Sequence, residues 1–188
     1  MEILVLGLCV FLGIHLLPVA TGARRALHAR LGEKAYKGMF SLVAAAGLVL
    51  IVVGYARAPS EPRLFAPFPA AILAAPMTMI VSFILLAAAN MRTHIRQLVK
   101  HPMLIGVGLW ALVHLLANGE ARATLLFGAF LAYVAIDLVS AVGRHAVKPF
   151  TPVARQDMMA IGAGIVLALL VMAFHRFLFG VKSVPWGM

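Results

Sequence analysis

The composition of this 188-residue chain excludes an ordinary soluble domain, because 63% of its residues are hydrophobic and only 12% are charged. A soluble domain is about half apolar and about a quarter charged. The net charge of +10 would suggest nucleic acid binding in a soluble protein. Here the basic residues lie in short segments between apolar runs, as in the cytoplasmic loops of membrane proteins, so we expect no nucleic acid partner. Cys9 is the only cysteine, which excludes an intramolecular disulfide.

Six apolar segments approach the length of about 20 residues that a membrane-spanning helix needs. We predict one all-α domain over residues 1–188, a polytopic transmembrane bundle of about six helices. The predicted helices are Ile3–Ala20, Met39–Ala56, Ala70–Met91, Met103–Asn118, Ala123–Val142 and Met158–Phe179. Asn118-Gly119 is a typical helix stop, so the fourth and fifth helices should be antiparallel neighbours. Pro76 is expected to kink the third helix or delay its start, and four prolines within residues 58–69 predict an irregular segment.

Lysine and arginine alternate in density between successive connecting segments. Eleven lie between the first and second, third and fourth, and fifth and sixth predicted helices: Arg24, Arg25, Arg30, Lys34, Lys37, Arg92, Arg96, Lys100, Arg144, Lys148 and Arg155. Five lie on the other side: Arg57, Arg63, Arg122, Arg176 and Lys182. Since cytoplasmic loops carry the excess of basic residues, we expect the eleven-charge face in the cytoplasm and both termini outside.

Two histidines are predicted near the middle of the bilayer, where ionisable groups are costly and therefore suggest function. At about 1.5 Å per residue, His15 lies roughly 18 Å from the outer end of its helix. By the same measure, His114 lies roughly 17 Å from the cytoplasmic end of its helix. Two imidazoles at one depth could ligate a planar metal cofactor, and a bis-histidine haem fits such an apolar site. The alternative is two neutral histidines, each bonded to a nearby polar group.

The residues around His114 add detail to this candidate site. Trp110, His114 and Asn118 are spaced by four and share one helix face. Trp110 could form the wall of a pocket, and the alternative is an ordinary packing residue. Asn118 could orient an imidazole or a substrate, although a role in ending the helix is favoured.

Three further ionisable residues are candidates. Asp137 lies toward the cytoplasmic end of the fifth predicted helix and needs a cation, for which Arg144 and His101 are at a compatible depth. A structural ion pair is favoured over proton transfer. His101 itself lies just before the fourth helix, at the cytoplasmic interface. His175 lies in the outer part of the last helix and is interpreted as interfacial.

Three segments of the chain resemble the NnrU family of membrane proteins. They are LGLCVFLGIHLLP at residues 6–18, RLGEKAYKGMFSL at 30–42 and KHPMLIGVGLWALVHLLANG at 100–119. The resemblance covers roughly residues 1–180. It implies a link to bacterial denitrification and nitric oxide metabolism, and hence a place in the bacterial inner (cytoplasmic) membrane, where the charge bias predicts periplasmic termini.

The family shares a superfamily with the zeta-carotene isomerase of plants and cyanobacteria, a membrane enzyme that depends on haem b. The resemblance implies that His15 and His114 stand where the two haem-ligating histidines of the isomerase stand. The isomerase also carries a cysteine, proposed as an alternative ligand, where this chain has Ala111. That departure removes the ligand exchange proposed for the isomerase.

Four hypotheses about the function therefore remain open. The favoured one is an NnrU-type protein that binds haem b between His15 and His114, with nitric oxide as a possible ligand. The second is a haem-dependent cis-trans isomerase of a carotenoid or another apolar polyene. The third is a membrane methyltransferase, because His101-Pro102 followed by Gly106 is similar to enzymes that modify isoprenylcysteine or phospholipid. The fourth is an assembly factor without a cofactor.

Overall fold

The structure, a computed structural model, describes residues 1–144, 146–147 and 149–180, and within these it contains helices and no strands. The seven helices are α1 (Glu2–Leu16), α2 (Thr21–Arg57), α3 (Pro69–Ala88), α4 (His94–Val99), α5 (Pro102–Asn118), α6 (Ala121–Gly143) and α7 (Ala154–Phe179). The predicted all-α helical bundle is thereby confirmed. Lys148 and Lys182, which entered the charge comparison, lie outside the described residues.

Among the described residues, four helices are long and apolar enough to span a membrane, namely α2, α3, α6 and α7. The other two predicted spans, α1 and α5, are apolar but only 15 and 17 residues long. Large apolar side chains face outward along the bundle, such as Leu73 and Phe177, which are 83% and 86% exposed. Many of the most buried positions hold alanine or glycine. An apolar exterior around a small-residue interior is the pattern expected when lipid is the solvent.

Several helix boundaries differ from the prediction, most of all at the end of α1 and the start of α2 and α7. Helix α1 ends at Leu16, four residues early, because Pro18 has no amide hydrogen with which to continue the helical hydrogen bonds. Helix α2 begins at Thr21, eighteen residues before the predicted start, and bends at Gly32, whose φ of 74° is non-helical. Its first part is rich in Ala, Leu, Lys and Arg, which form helices well even where they are too polar for lipid. The short helix α4 was not predicted at all.

Proline has less effect on α3 than expected. The helix begins at Pro69 and continues through Pro76, so the delayed start is wrong. Pro69 occupies the start of the helix, where the missing amide hydrogen costs nothing. The proline-rich segment before it is irregular, as predicted.

The long helices pack in antiparallel pairs, except α1 and α6, which run in the same direction. The packed pairs are α1 with α2, α1 with α6, α6 with α5, α5 with α3, and α3 with α7. The α1–α2 contact is very close, because a Cβ on Gly7 would lie 2.6 Å from the backbone nitrogen of Ile51 and one on Gly47 would lie 2.7 Å from that of Phe11. In the α3–α5 contact, the buried hydroxyl of Ser82 donates to the carbonyl oxygen of Gly106 at 2.8 Å.

The two ends of the bundle differ in charge. The basic end carries the chain connections from α1 to α2, from α3 through α4 to α5, and from α6 to α7. At the opposite end, the segment before α3 is tied to the α5–α6 turn, since the amide of Leu64 donates to the carbonyl of Gly119 at 2.8 Å. The Arg122 guanidinium also lies there, paired with Glu120 at 2.8 Å and bonded to the carbonyl of Ala58 at 3.1 Å.

Candidate functional site

The two intramembrane histidines are held in the same way by their own helices. Nδ1 of His15 lies 2.7 Å from the carbonyl oxygen of Phe11, and Nδ1 of His114 lies 2.8 Å from that of Trp110. A carbonyl oxygen only accepts hydrogen bonds, so Nδ1 carries the proton in each ring. In a neutral imidazole, Nε2 then keeps its lone pair. Both rings are therefore prepared to bind a metal through Nε2, with the backbone bond fixing the tautomer as in many metal-bound histidines.

An aromatic cluster of Phe11, Trp110, Phe127 and Phe130 fills the space between α1, α5 and α6. Trp110 contacts Phe127 and Phe130 edge-on, with 5.1 Å between ring centroids in each case. Phe130 in turn lies 5.9 Å from Phe11. His114 contacts the cluster through Phe127 at 5.0 Å. Trp110 thus packs in the core beside His114, with 5.6 Å between ring centroids, and its role as the wall of a pocket stays a prediction.

The depths of His15 and His114 differ, contrary to the expectation of a matched pair. Along α6, His114 lies level with Phe127 and His15 lies beside Tyr133, at ring distances of 5.0 and 6.3 Å. Tyr133 follows Phe127 by six residues, which corresponds to about 9 Å along the helix axis. The physical reason is that α1 and α5 are short: His15 lies in the last turn of α1, toward the basic end, and His114 lies four residues before the end of α5, toward the opposite end.

The structure instead brings His114 together with His175 of α7. Their ring centroids lie 6.4 Å apart with 21° between the ring planes, and His175 also contacts Phe179 at 4.9 Å. Two imidazoles on opposite sides of one metal, each about 2 Å from it, have centroids about 6 Å apart. The position of His175 beside Arg176 predicted only its depth, and its interpretation as interfacial missed this neighbour.

Two other candidates have structural roles. The Oδ1 of Asn118 accepts from the amide of Glu120 at 3.1 Å, which is the favoured role at the helix end rather than contact with an imidazole. Asp137 accepts from the Tyr133 hydroxyl at 3.3 Å and lies 3.7 Å from the Arg144 guanidinium. The predicted ion pair with Arg144 is therefore present. Tyr133 connects this pair to the ring of His15.

His101 lies far along the bundle from His114, at the basic end. It is the residue before α5, and its side chain lines a surface cavity with Arg96 and Lys100. Its backbone amide donates to the carbonyl of Val99 at 2.7 Å. His101 and His114 therefore belong to separate places in the molecule.

The number of histidine ligands suits a haem iron better than a bare metal ion. Within the described part of the chain, no group of three or more His, Cys, Asp or Glu side chains could hold a metal. A closed zinc site needs four such ligands, whereas a haem iron needs one or two from the protein. The surrounding rings are apolar, as a porphyrin requires. Ala111, at the position of the isomerase cysteine, is fully buried and supplies no ligand.

These features define a helical membrane protein with a histidine and aromatic site inside its apolar region. The chain matches the family described as NnrU protein over residues 3–183, which is nearly its whole length. It belongs to the NnrU family. No curated protein and no solved structure matches it.

Proposed function

We propose that this NnrU-family protein binds one b-type haem in its apolar region, with His114 as an axial ligand. The observation that carries the proposal is the bond from His114 Nδ1 to the Trp110 carbonyl, at 2.8 Å. It leaves Nε2 as the available nitrogen, beside the aromatic cluster and a second histidine. Trp110 and Phe127 would hold the ring of His114 in place and keep water from it.

Two residues compete to be the second ligand. His15 is the one that the family resemblance implies, and its Nδ1 is fixed in the same way. It lies about 9 Å from the level of His114 along α6, however, and opposed ligand nitrogens must be about 4 Å apart. His175 already lies at a suitable separation, with 6.4 Å between ring centroids. Two ligand pairs are therefore to be distinguished by experiment, His15 with His114 and His114 with His175.

The physiological role we propose is in nitric oxide metabolism linked to denitrification, in the bacterial inner membrane. When bound, the haem would supply an iron centre that can take a small ligand such as nitric oxide in place of one histidine. The protein residues would orient the ligating imidazoles and exclude water. A haem-dependent isomerase of a carotenoid is the second candidate, favoured by the apolar aromatic lining, which suits a polyene.

The first test is the visible spectrum of the detergent-purified protein after haem is supplied, oxidised and reduced. We expect a six-coordinate spectrum for the wild type and its loss in His114→Ala. Loss of the sixth ligand in His175→Ala but not in His15→Ala would assign His175, and the reverse would assign His15. His28→Ala is the matched control, since His28 contacts Tyr36 on α2 and should leave the spectrum unchanged. A colourless wild type would refute haem binding.

A second test separates the two functional candidates. Reversible nitric oxide binding by the reduced protein, without a change in an added poly-cis carotenoid, would support the role in nitric oxide metabolism. A shift of that carotenoid to a different isomer, lost in His114→Ala, would support the isomerase. A protein that binds no haem and shows neither nitric oxide binding nor isomerisation would contradict both candidates. It would favour the methyltransferase or the cofactor-free assembly factor.

A further inference from the structure

A cavity of about 170 Å³ opens on the surface at the basic end of the bundle, away from the histidine site. Its ionisable lining consists of Arg96, Lys100 and His101, and none of the described residues that line it is acidic. The cavity lies where the end of α3, the short helix α4 and the start of α5 meet. Three groups that carry or accept positive charge thus share one small space without a neutralising carboxylate in its walls.

The guanidinium of Arg96 is positioned by contacts that leave its charge unpaired by any acid that the structure describes. The backbone amide of Arg96 donates to the hydroxyl of Thr93 at 2.9 Å, and Thr93 is fully buried. Its Nη1 donates to the carbonyl of Met91 at 3.5 Å, and the guanidinium lies 5.0 Å from the centre of the Phe150 ring. These neighbours orient the side chain, and the remaining N–H groups can serve a ligand.

Backbone amides add further hydrogen-bond donors beside the three basic side chains. Met103 and Leu104, in the first turn of α5, also line the cavity. Amides in the first turn of a helix have no partner within the helix, and the helix dipole favours an anion near them. Lys100, just before this turn, has a φ of 63°, a region that favours glycine. A lysine is nevertheless present there, and its side chain contributes to the cavity.

We propose that this cavity binds a phosphate group, supplied by the headgroup of an anionic phospholipid. Arginine, lysine and helix-terminal amides are the donors that recognise phosphate oxygens. The distribution of Lys and Arg predicts that the basic end lies at the cytoplasmic leaflet. Anionic lipids are present in that leaflet, and basic pockets between helices bind their headgroups. Exposed apolar residues beside the cavity, such as Met103 at 47%, would contact the acyl chains.

The test measures lipid retention by native mass spectrometry after release of the full-length protein from nanodiscs of phosphatidylglycerol and phosphatidylcholine. We expect the wild type to keep phosphatidylglycerol preferentially. In Lys100→Gln, and in Arg96→Gln combined with Lys100→Gln, the retained fraction should fall about tenfold. Lys34→Gln removes the same charge from an exposed position at the basic end and should retain lipid like the wild type.

Three outcomes decide the matter. Equal retention by Lys100→Gln and the wild type would overturn the proposal, and so would an equal loss in Lys34→Gln, since either result would make the effect one of general charge. Because Arg96 also supports local structure, the single Lys100 variant keeps the test valid if the double variant fails to fold. Displacement of the lipid by millimolar inorganic phosphate would support the phosphate site and assign its occupant to a free anion.

Discussion

The close contact between α1 and α2 allows a quantitative prediction at Gly7. A Cβ at this position would lie 2.6 Å from the backbone nitrogen of Ile51 and 2.8 Å from the carbonyl carbon of Leu50, whereas ordinary contacts begin at 3.4 Å. Gly7→Ala must therefore push α1 from α2 by up to about 0.8 Å, since backbone atoms cannot rotate away. Overpacking of this kind costs about 1–3 kcal/mol, partly offset by about 0.5–1 kcal/mol of helix propensity.

We expect Gly7→Ala to lower the free energy of unfolding in detergent by about 0.5–2 kcal/mol. The assay is the midpoint of denaturation by sodium dodecyl sulfate, followed by circular dichroism. Gly13→Ala, in the same helix, is the matched control because a Cβ there meets nothing within 4 Å. It should be neutral or slightly stabilising. Equal midpoints for Gly7→Ala and Gly13→Ala would refute the close α1–α2 packing.

Three further substitutions test other contacts. Ser82→Ala removes the buried hydrogen bond to the Gly106 carbonyl, and the same denaturation assay should show a loss of about 0.6–1.7 kcal/mol. Arg122→Lys loses the planar contact over the Tyr55 ring and the paired carbonyl bonds, so we expect a loss of about 1–3 kcal/mol and faster proteolysis before α3. Lys100→Gly relieves a positive φ and should raise stability by about 1 kcal/mol while abolishing lipid retention. A parallel change in both properties would contradict a binding role for this lysine.

Apolar segment length predicted the fold well, because the cost of exposing backbone in lipid leaves helices as the structure for such segments. Each of the six predicted spans contains a helix. The partner of Asp137 was also predictable, since a carboxylate in an apolar helix needs a cation and Arg144 follows within reach on the same helix. Helix ends were predicted less well where the chain leaves the lipid, as at Thr21, because polar helix formers carry no hydropathy signal.

Sequence gave the depth of each histidine but not its lateral neighbours. A count of residues along α7 places His175 near one end of the bundle and says nothing about which helix lies beside it. That neighbour depends on α3 packing against both α5 and α7, which follows from side-chain shape at contacts such as Gly106 and Gly164. The two histidines do not share one depth because α1 and α5 are only 15 and 17 residues long, so each histidine lies near the far end of its own helix.

The packing of α1 bears on which histidine completes the proposed haem site. To oppose His114, the imidazole of His15 must move several ångströms along α6, and both rings are fixed to their own helices through Nδ1. A sliding α1 would carry Leu4 and Leu8 out of the buried cluster that they form with Ala123 and Phe127. His175 requires no such movement. We therefore expect His114→Ala and His175→Ala to remove one axial ligand each, while His15→Ala leaves the coordination number of the iron unchanged. A five-coordinate spectrum in His15→Ala alone would contradict this assignment and would require α1 to move when haem binds.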